Sequence, residues 1–221
     1  MLPQGVAVYL ALTGNRIRAP DLLYTGLATH YIPSQRLEDL EHALVLASNT
    51  LRPTDKTENV VAPVLMSFHE MPPDDPRESM LFQQRQVIED VFGILADAKL
   101  GVQDIVDSLE KVDTDFARET LGMLEKASPT SLKVTLEGLR RGAAMPTIGN
   151  DLQMEFRVAQ SFMRPKADFY EGIRARLVDK DNAPVWNPST LAEVTDDMVE
   201  SHFAPIEHEW EIPTITRISR L

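Results

Sequence analysis

Cysteine is absent from the 221 residues. That excludes disulfides, thiolate metal ligands and a cysteine nucleophile, and it gives no support for an oxidising compartment. Positive charge is scarce. Against 34 Asp and Glu stand 22 Lys and Arg, for a net charge of -12 and a pI near 4.8. Such a surface disfavours nonspecific nucleic-acid binding, which needs clustered Lys and Arg. Arg140-Arg141 is the only Arg pair. No apolar run approaches the ~20 residues of a membrane helix. No charged n-region precedes the apolar first segment, so a signal peptide is not expected either. The chain has no G-x-G-x-x-G, P-loop, G-x-S-x-G or H-E-x-x-H. Nucleotide, phosphoryl and serine-hydrolase chemistry therefore have no sequence support within it.

What is present is a hydrophobic fraction of 43%, enough for a real core, arranged mostly at helical spacing. Gln4–Thr13 is apolar on nearly every side and reads as a buried helix closed by Gly14-Asn15. It is expected to bury itself against a segment preceding it and, with that segment missing, to make the chain self-associate. Ala19–Thr25 reads as a second short helix and Ala28–Ile32 as a strand stopped by Pro33. Ser34 caps a helix to about Ala47, with Leu37, Leu40 and Leu44 in register. Pro53 and Pro63 break the next stretch, leaving a short helix over Thr57–Met66. Met71–Glu78, with Pro72, Pro73 and Pro76, reads as a linker.

Beyond it helices follow one another: Gln86–Phe92, Gly101–Leu109, one capped by Asp113 or Thr114, and one opened by Ser128-Pro129. Gly149–Met163, a helix from Asp168 and Thr195–Phe203 complete the set, and Glu207–Leu221 reads as an extended tail. The fold expected is mainly α with one or two short strands. Its divisions fall at residues 1–52, 53–206 and 207–221.

The histidines do not form a metal set. His69-Glu70 and His208-x-Trp210 lack a third ligand at workable spacing. His30 reads as a packed histidine, while His42 and His202 read as lying at the solvent edges of helices. Paired acids such as Asp74-Asp75 and Asp196-Asp197 read as solvated charge.

The segment from Asp168 to Trp186, D-F-Y-E-G-I-R-A-R-L-V-D-K-D-N-A-P-V-W, carries more information. Glu171 precedes a glycine inside a helix, where Gly costs ~1 kcal/mol relative to Ala. A close approach at Gly172 is the expected reason, with Glu171 bonded to backbone or to Arg174 or Arg176. Lys180 between two aspartates reads as a surface ion pair, and Trp186 as core or interface.

That segment resembles the closing helix of the crotonase (enoyl-CoA hydratase/isomerase) superfamily, where E-G-x-x-A is followed by a charged pair and an aromatic residue. V-D-K-D with P-x-W is most similar to the 3-hydroxyisobutyryl-CoA hydrolase branch. Two further runs agree with it: L-T-G…G-L-A-T-H within residues 1–33, and S-P-T-S-L-K-V-T over Ser128–Thr135. The resemblance implies the C-terminal part of an α/β crotonase-like fold and hydrolysis of an acyl-CoA thioester in valine catabolism.

For Lys180 the resemblance implies contact with the phosphates of coenzyme A. It makes Glu171, Gly172 and Trp186 a structural motif, implies no further cofactor, and allows a homo-oligomer. The family's oxyanion-binding N–H groups and catalytic carboxylates, the last in a G-x-x-P-D segment, have no match here. No catalytic residue is therefore expected in this chain, and no turnover by it alone. A non-catalytic helical scaffold derived from the hydrolases, and a hydratase or isomerase, are the other readings. Finally, Ser219-Arg220-Leu221 has the small-basic-Leu form read by the peroxisomal import receptor. A peroxisomal location is expected on that ground, with a mitochondrial one as the alternative.

Overall fold

The computed structural model of the chain describes residues 3–52 and 54–210. The first helix, α1 (Gln4–Thr13), ends at Gly14, whose left-handed φ of 61° lets its N–H reach Leu10 O at 3.0 Å. Val6, Val8, Tyr9 and Leu12 are all at most 4% exposed. Their cover comes from later in the chain: α6 (Arg85–Phe92), α8 (Asp115–Lys126) and α9 (Pro129–Ala144) surround α1. The expectation of an exposed first helix is corrected on that point. Tyr9 meets Phe92 edge-on at 5.3 Å, and its hydroxyl accepts from Asn15 Nδ2 at 2.8 Å. Each such buried side chain contributes roughly 1.5–3 kcal/mol.

Between α1 and α6 the chain forms α2 (Ala19–Tyr24), α3 (Leu37–Ser48), α4 (Thr57–Phe68) and α5 (Met80–Gln83). The strand expected over Ala28–Ile32 is not formed, and no strand occurs among the described residues. The physical reason is pairing. Tyr31 makes one backbone bond, accepting from Glu70 N–H at 3.0 Å, and no ladder extends from it.

Helices α3 and α4 pack on each other as a hairpin in which no residue is fully buried. Pro63 does not end α4 but sits inside it. The stretch read as a linker, Met71–Glu78, is also held in place. It contains a 3-10 turn, Pro76–Glu78, packed on α2. Just beyond it, the buried Asp21 carboxylate accepts Leu81 N–H at 3.0 Å.

After α6 come α7 (Val102–Leu109), α8 and α9, whose inward faces join α1 in one core through Ile105, Leu109, Leu124, Leu132 and Leu136. A smaller cluster joins α9 to α10 (Ile148–Phe162) through Val134, Met154 and Phe203. Then follow α11 (Asp168–Ile173) and α12 (Asp196–Ser201). The start of the tail lies on α10: Arg157 Nε donates to both oxygens of Glu209, at 2.7 and 2.9 Å.

Candidate functional site

The site grows from one hydroxyl. Ser128 Oγ caps α9 by accepting Ser131 N–H at 3.1 Å and donates to Asp168 Oδ2 at 2.5 Å. The buried Asp168 in turn accepts Asn187 N–H at 3.1 Å. Two loops that meet only in three dimensions are thereby pinned to the first turns of α9 and α11.

One turn later Glu171 faces Arg174. The guanidinium donates from Nη2 to Oε1 at 2.7 Å and from Nε to Oε2 at 2.9 Å, and Val185 N–H adds a third bond at 2.7 Å. These donors, Arg174 first, hold the Glu171 carboxyl at about 2, far below its ordinary 4.5. Arg174 Nη1 also reaches Asp179 at 2.7 Å and Asp181 at 2.6 Å. Its pKa is pushed up, chiefly by Glu171 and then by Asp181 and Asp179. A carboxylate so held is a poor general base. Glu171 organises the turn through its bonds to Arg174 and Val185.

Past α11 the helix widens into a π turn, Arg174–Val178, with Asp179 N–H bonded to Arg174 O at 2.8 Å. Lys180 (φ 58°) and Asn182 (φ 53°) then reverse the chain in left-handed conformations. The reversal returns Trp186 over Gly172. A Cβ on Gly172 would stand 3.4 Å from Trp186 Cη2, a contact and not a collision. Trp186 Nε1 donates to Lys126 O at 3.2 Å.

Trp186 also walls a groove of about 780 Å³ with Ala127, Ser131, Met163, Phe169 and Leu177. Glu171, Gly172 and Trp186 are thus brought together. Lys180 stands apart at the tip of the turn, exposed and in no ion pair among the described residues. Ser219, Arg220 and Leu221 lie outside the described residues.

Two features depart from the sequence reading. A bond from Arg174 to Glu171 is among those expected; that Arg174 also gathers Asp179 and Asp181 depends on a turn that reverses through left-handed residues other than glycine. His202, expected at a solvent edge, is half-buried on Phe162 at 4.5 Å, with Nδ1 2.5 Å from Ser161 Oγ. Burial first, then the charge of Arg164, pushes its pKa down. The pair is not a nucleophile: Ser161 is 2% exposed and donates to Val158 O at 2.6 Å. Among the described residues no three His, Asp or Glu side chains are grouped to hold a metal, and no helix is long and apolar enough to cross a membrane.

A family model described as enoyl-CoA hydratase/isomerase matches residues 1–203. This chain belongs to the enoyl-CoA hydratase/isomerase family. Within that family it is similar to the mitochondrial 3-hydroxyisobutyryl-CoA hydrolase of Dictyostelium discoideum, 34% identical over 96% of this chain and 52% of the relative. The Gallus gallus protein of the same name is 39% identical over 89% of this chain and 48% of its own length.

A crystal structure of an enoyl-CoA hydratase from Rhodobacter sphaeroides superposes with a TM-score of 0.72 at 30% identity, covering 93% of this chain and 53% of that one. The chain spans about half the length of the curated relatives it matches. Those relatives are named mitochondrial, which agrees with the alternative location and gives the peroxisomal expectation no support.

Proposed function

We propose that this family member contributes the C-terminal helical part of an acyl-CoA thioester hydrolase acting on 3-hydroxyisobutyryl-CoA or a close analogue. The observation that carries the reading is the set of relatives bearing that name, at 34–39% identity over 88–96% of the chain. In such a reaction N–H donors polarise the thioester oxygen, a carboxylate drives water onto the carbonyl carbon, and the thiol of coenzyme A leaves with a proton. In this reading those donors and that carboxylate come from the part of the relatives this chain does not match. The turn built on Ser128, Asp168, Glu171 and Arg174 supplies a rigid wall beside the apolar groove.

Lys180 is the residue that family resemblance assigns to the phosphates of coenzyme A. Its exposure leaves the ammonium accessible, and the neighbouring Asp179 and Asp181 are both engaged by Arg174. A mitochondrial location follows the relatives' names; Ser219-Arg220-Leu221 supports a peroxisomal one. A reporter carrying the chain, with and without Leu221, separates the two: loss of peroxisomal signal on deletion is the outcome that favours the tripeptide.

The activity is tested by release of free coenzyme A from 3-hydroxyisobutyryl-CoA. The purified chain is expected to give none. A chimera joining the first half of the Gallus gallus relative to this chain is expected to give turnover. A folded chimera without turnover, beside an active parent protein, overturns the reading.

A hydratase is the second reading, favoured by the superposition on the Rhodobacter sphaeroides structure. It predicts addition of water to an enoyl-CoA by the same chimera.

A further inference from the structure

We propose that the cavity between α7, α9 and α12 binds the phosphate group of a soluble phosphomonoester. The cavity, of about 440 Å³, is walled in part by Lys99, Lys133, Arg140, Arg141 and Asp196. That volume lies within the range of small-molecule sites. In a chain of net charge -12, four cations on one cavity are a concentration that composition does not predict.

Their partners decide which of them keep an uncompensated charge. Arg141 is neutralised: its Nε donates to Glu137 at 2.7 Å, its Nη2 is paired with Glu200, and its guanidinium lies 4.1 Å from the Phe203 ring centre. The two glutamates on the cavity wall are thereby engaged. Arg140 has no carboxylate. Its Nη2 donates to the carbonyl oxygens of Asp97, at 3.0 Å, and of Leu100. Its Nε is buried without any partner. Lys133 Nζ donates to Val194 O at 2.6 Å and likewise meets no carboxylate among the described residues. Lys99, on the rim, is exposed.

Three cations therefore stand against one uncommitted acid, Asp196 in the first turn of α12. Carbonyl oxygens orient Arg140 and Lys133 without cancelling their charge. A phosphate dianion supplies what is missing: a compact double negative charge and several acceptor oxygens for two ammonium groups and a guanidinium. The site is built from side chains the E-G turn does not use, so it stands or falls apart from the hydrolase reading.

Isothermal titration calorimetry on the whole chain tests it. Inorganic phosphate and adenosine 3′,5′-bisphosphate are the probes, with sodium chloride at matched ionic strength as the control. Saturable binding of a phosphate probe at millimolar concentration or tighter, and none of chloride, is expected. Tighter binding of the bisphosphate than of inorganic phosphate is expected of a phosphomonoester site; equal affinity overturns the ester and leaves free phosphate as the ligand.

Lys133→Gln and Arg140→Gln should each weaken binding about tenfold. Lys99→Gln, on the rim, should weaken it about threefold with the melting temperature unchanged. Lys166→Gln, away from the cavity, should leave the affinity within about twofold. Arg140 also holds two carbonyls, so where Arg140→Gln fails to fold, Lys99→Gln and Lys133→Gln decide. Absence of saturable phosphate binding overturns the proposal. So does an affinity that Lys99→Gln and Lys133→Gln leave unchanged.

Discussion

Arg174 binds three carboxylates with one guanidinium, and the turn it organises gives two predictions at single positions. The first concerns Gly172. A methyl there only touches Trp186, at 3.4 Å, and alanine gains up to ~1 kcal/mol of helix propensity. Gly172→Ala should therefore melt within ~1 kcal/mol of the parent. Gly172→Val carries its branch carbons toward the ring and should lose ~2 kcal/mol or more. Lys180→Ala removes an exposed side chain outside any described ion pair and should fall within ~0.5 kcal/mol. Equal melting of the valine variant and Lys180→Ala in parallel thermal scans would remove Trp186 as the reason for glycine.

The second prediction concerns acid. The Glu171 carboxyl sits at about 2 in the fold against an ordinary 4.5, so the fold favours its ionised form. That contribution is complete above about pH 4.5 and is lost as pH falls toward about 2. Urea titrations across this window should show stability falling with pH, and Glu171→Gln should flatten the fall. Parallel slopes in parent and variant would show that the Arg174 contact does not depend on charge.

At the scale of the element, Ser128 joins two helices with one oxygen. Replacing an N-cap serine by alanine costs typically ~1 kcal/mol. Here it also strips Asp168 of its donor, so Ser128→Ala should cost more than an ordinary cap. In a double-mutant cycle with Asp168→Asn, the coupling should reach at least ~0.5 kcal/mol; additive losses would mean that the 2.5 Å bond carries no coupling.

The Ser128 cap was legible in the sequence because serine-proline before an apolar stripe is a local signal, as Thr114 is for α8. Thr147 was missed as the cap of α10, although its Oγ accepts Asn150 N–H at 3.2 Å; the stripe of Leu152 and Phe156 drew the start to Gly149. What could not be read was everything set by distant partners. A β-favouring run at Ala28–Ile32 becomes a strand only beside a neighbour, and its two backbone bonds, Ala28 N–H to Leu22 O and Glu70 N–H to Tyr31 O, build no ladder. Pro63 loses a donor inside α4, but packing against α3 carries the helix through it. His202 became half-buried because α10 lies against it. Arg140-Arg141 was visible as a pair, yet nothing local said that one would be neutralised and the other left facing a cavity.

Over the whole molecule stability is unevenly spread. The α3–α4 hairpin has no fully buried residue and carries exposed Val45, Leu46 and Met66, whereas α1 lies at the centre of the core. Amide hydrogen exchange should therefore open α3 and α4 well below the free energy of global unfolding and α1 only near it. Uniform protection across the three helices would contradict this.

The burial of α1 has a further consequence, in time. The last part of its cover comes late: Leu136 of α9 follows Tyr9 by more than a hundred residues. At about 5–20 residues per second, a ribosome takes roughly 6–25 s to deliver α9 after α1. Until α6, α8 and α9 have all emerged, the apolar faces of α1 lack part of the cover they have in the fold, which makes this helix a target for a chaperone during synthesis.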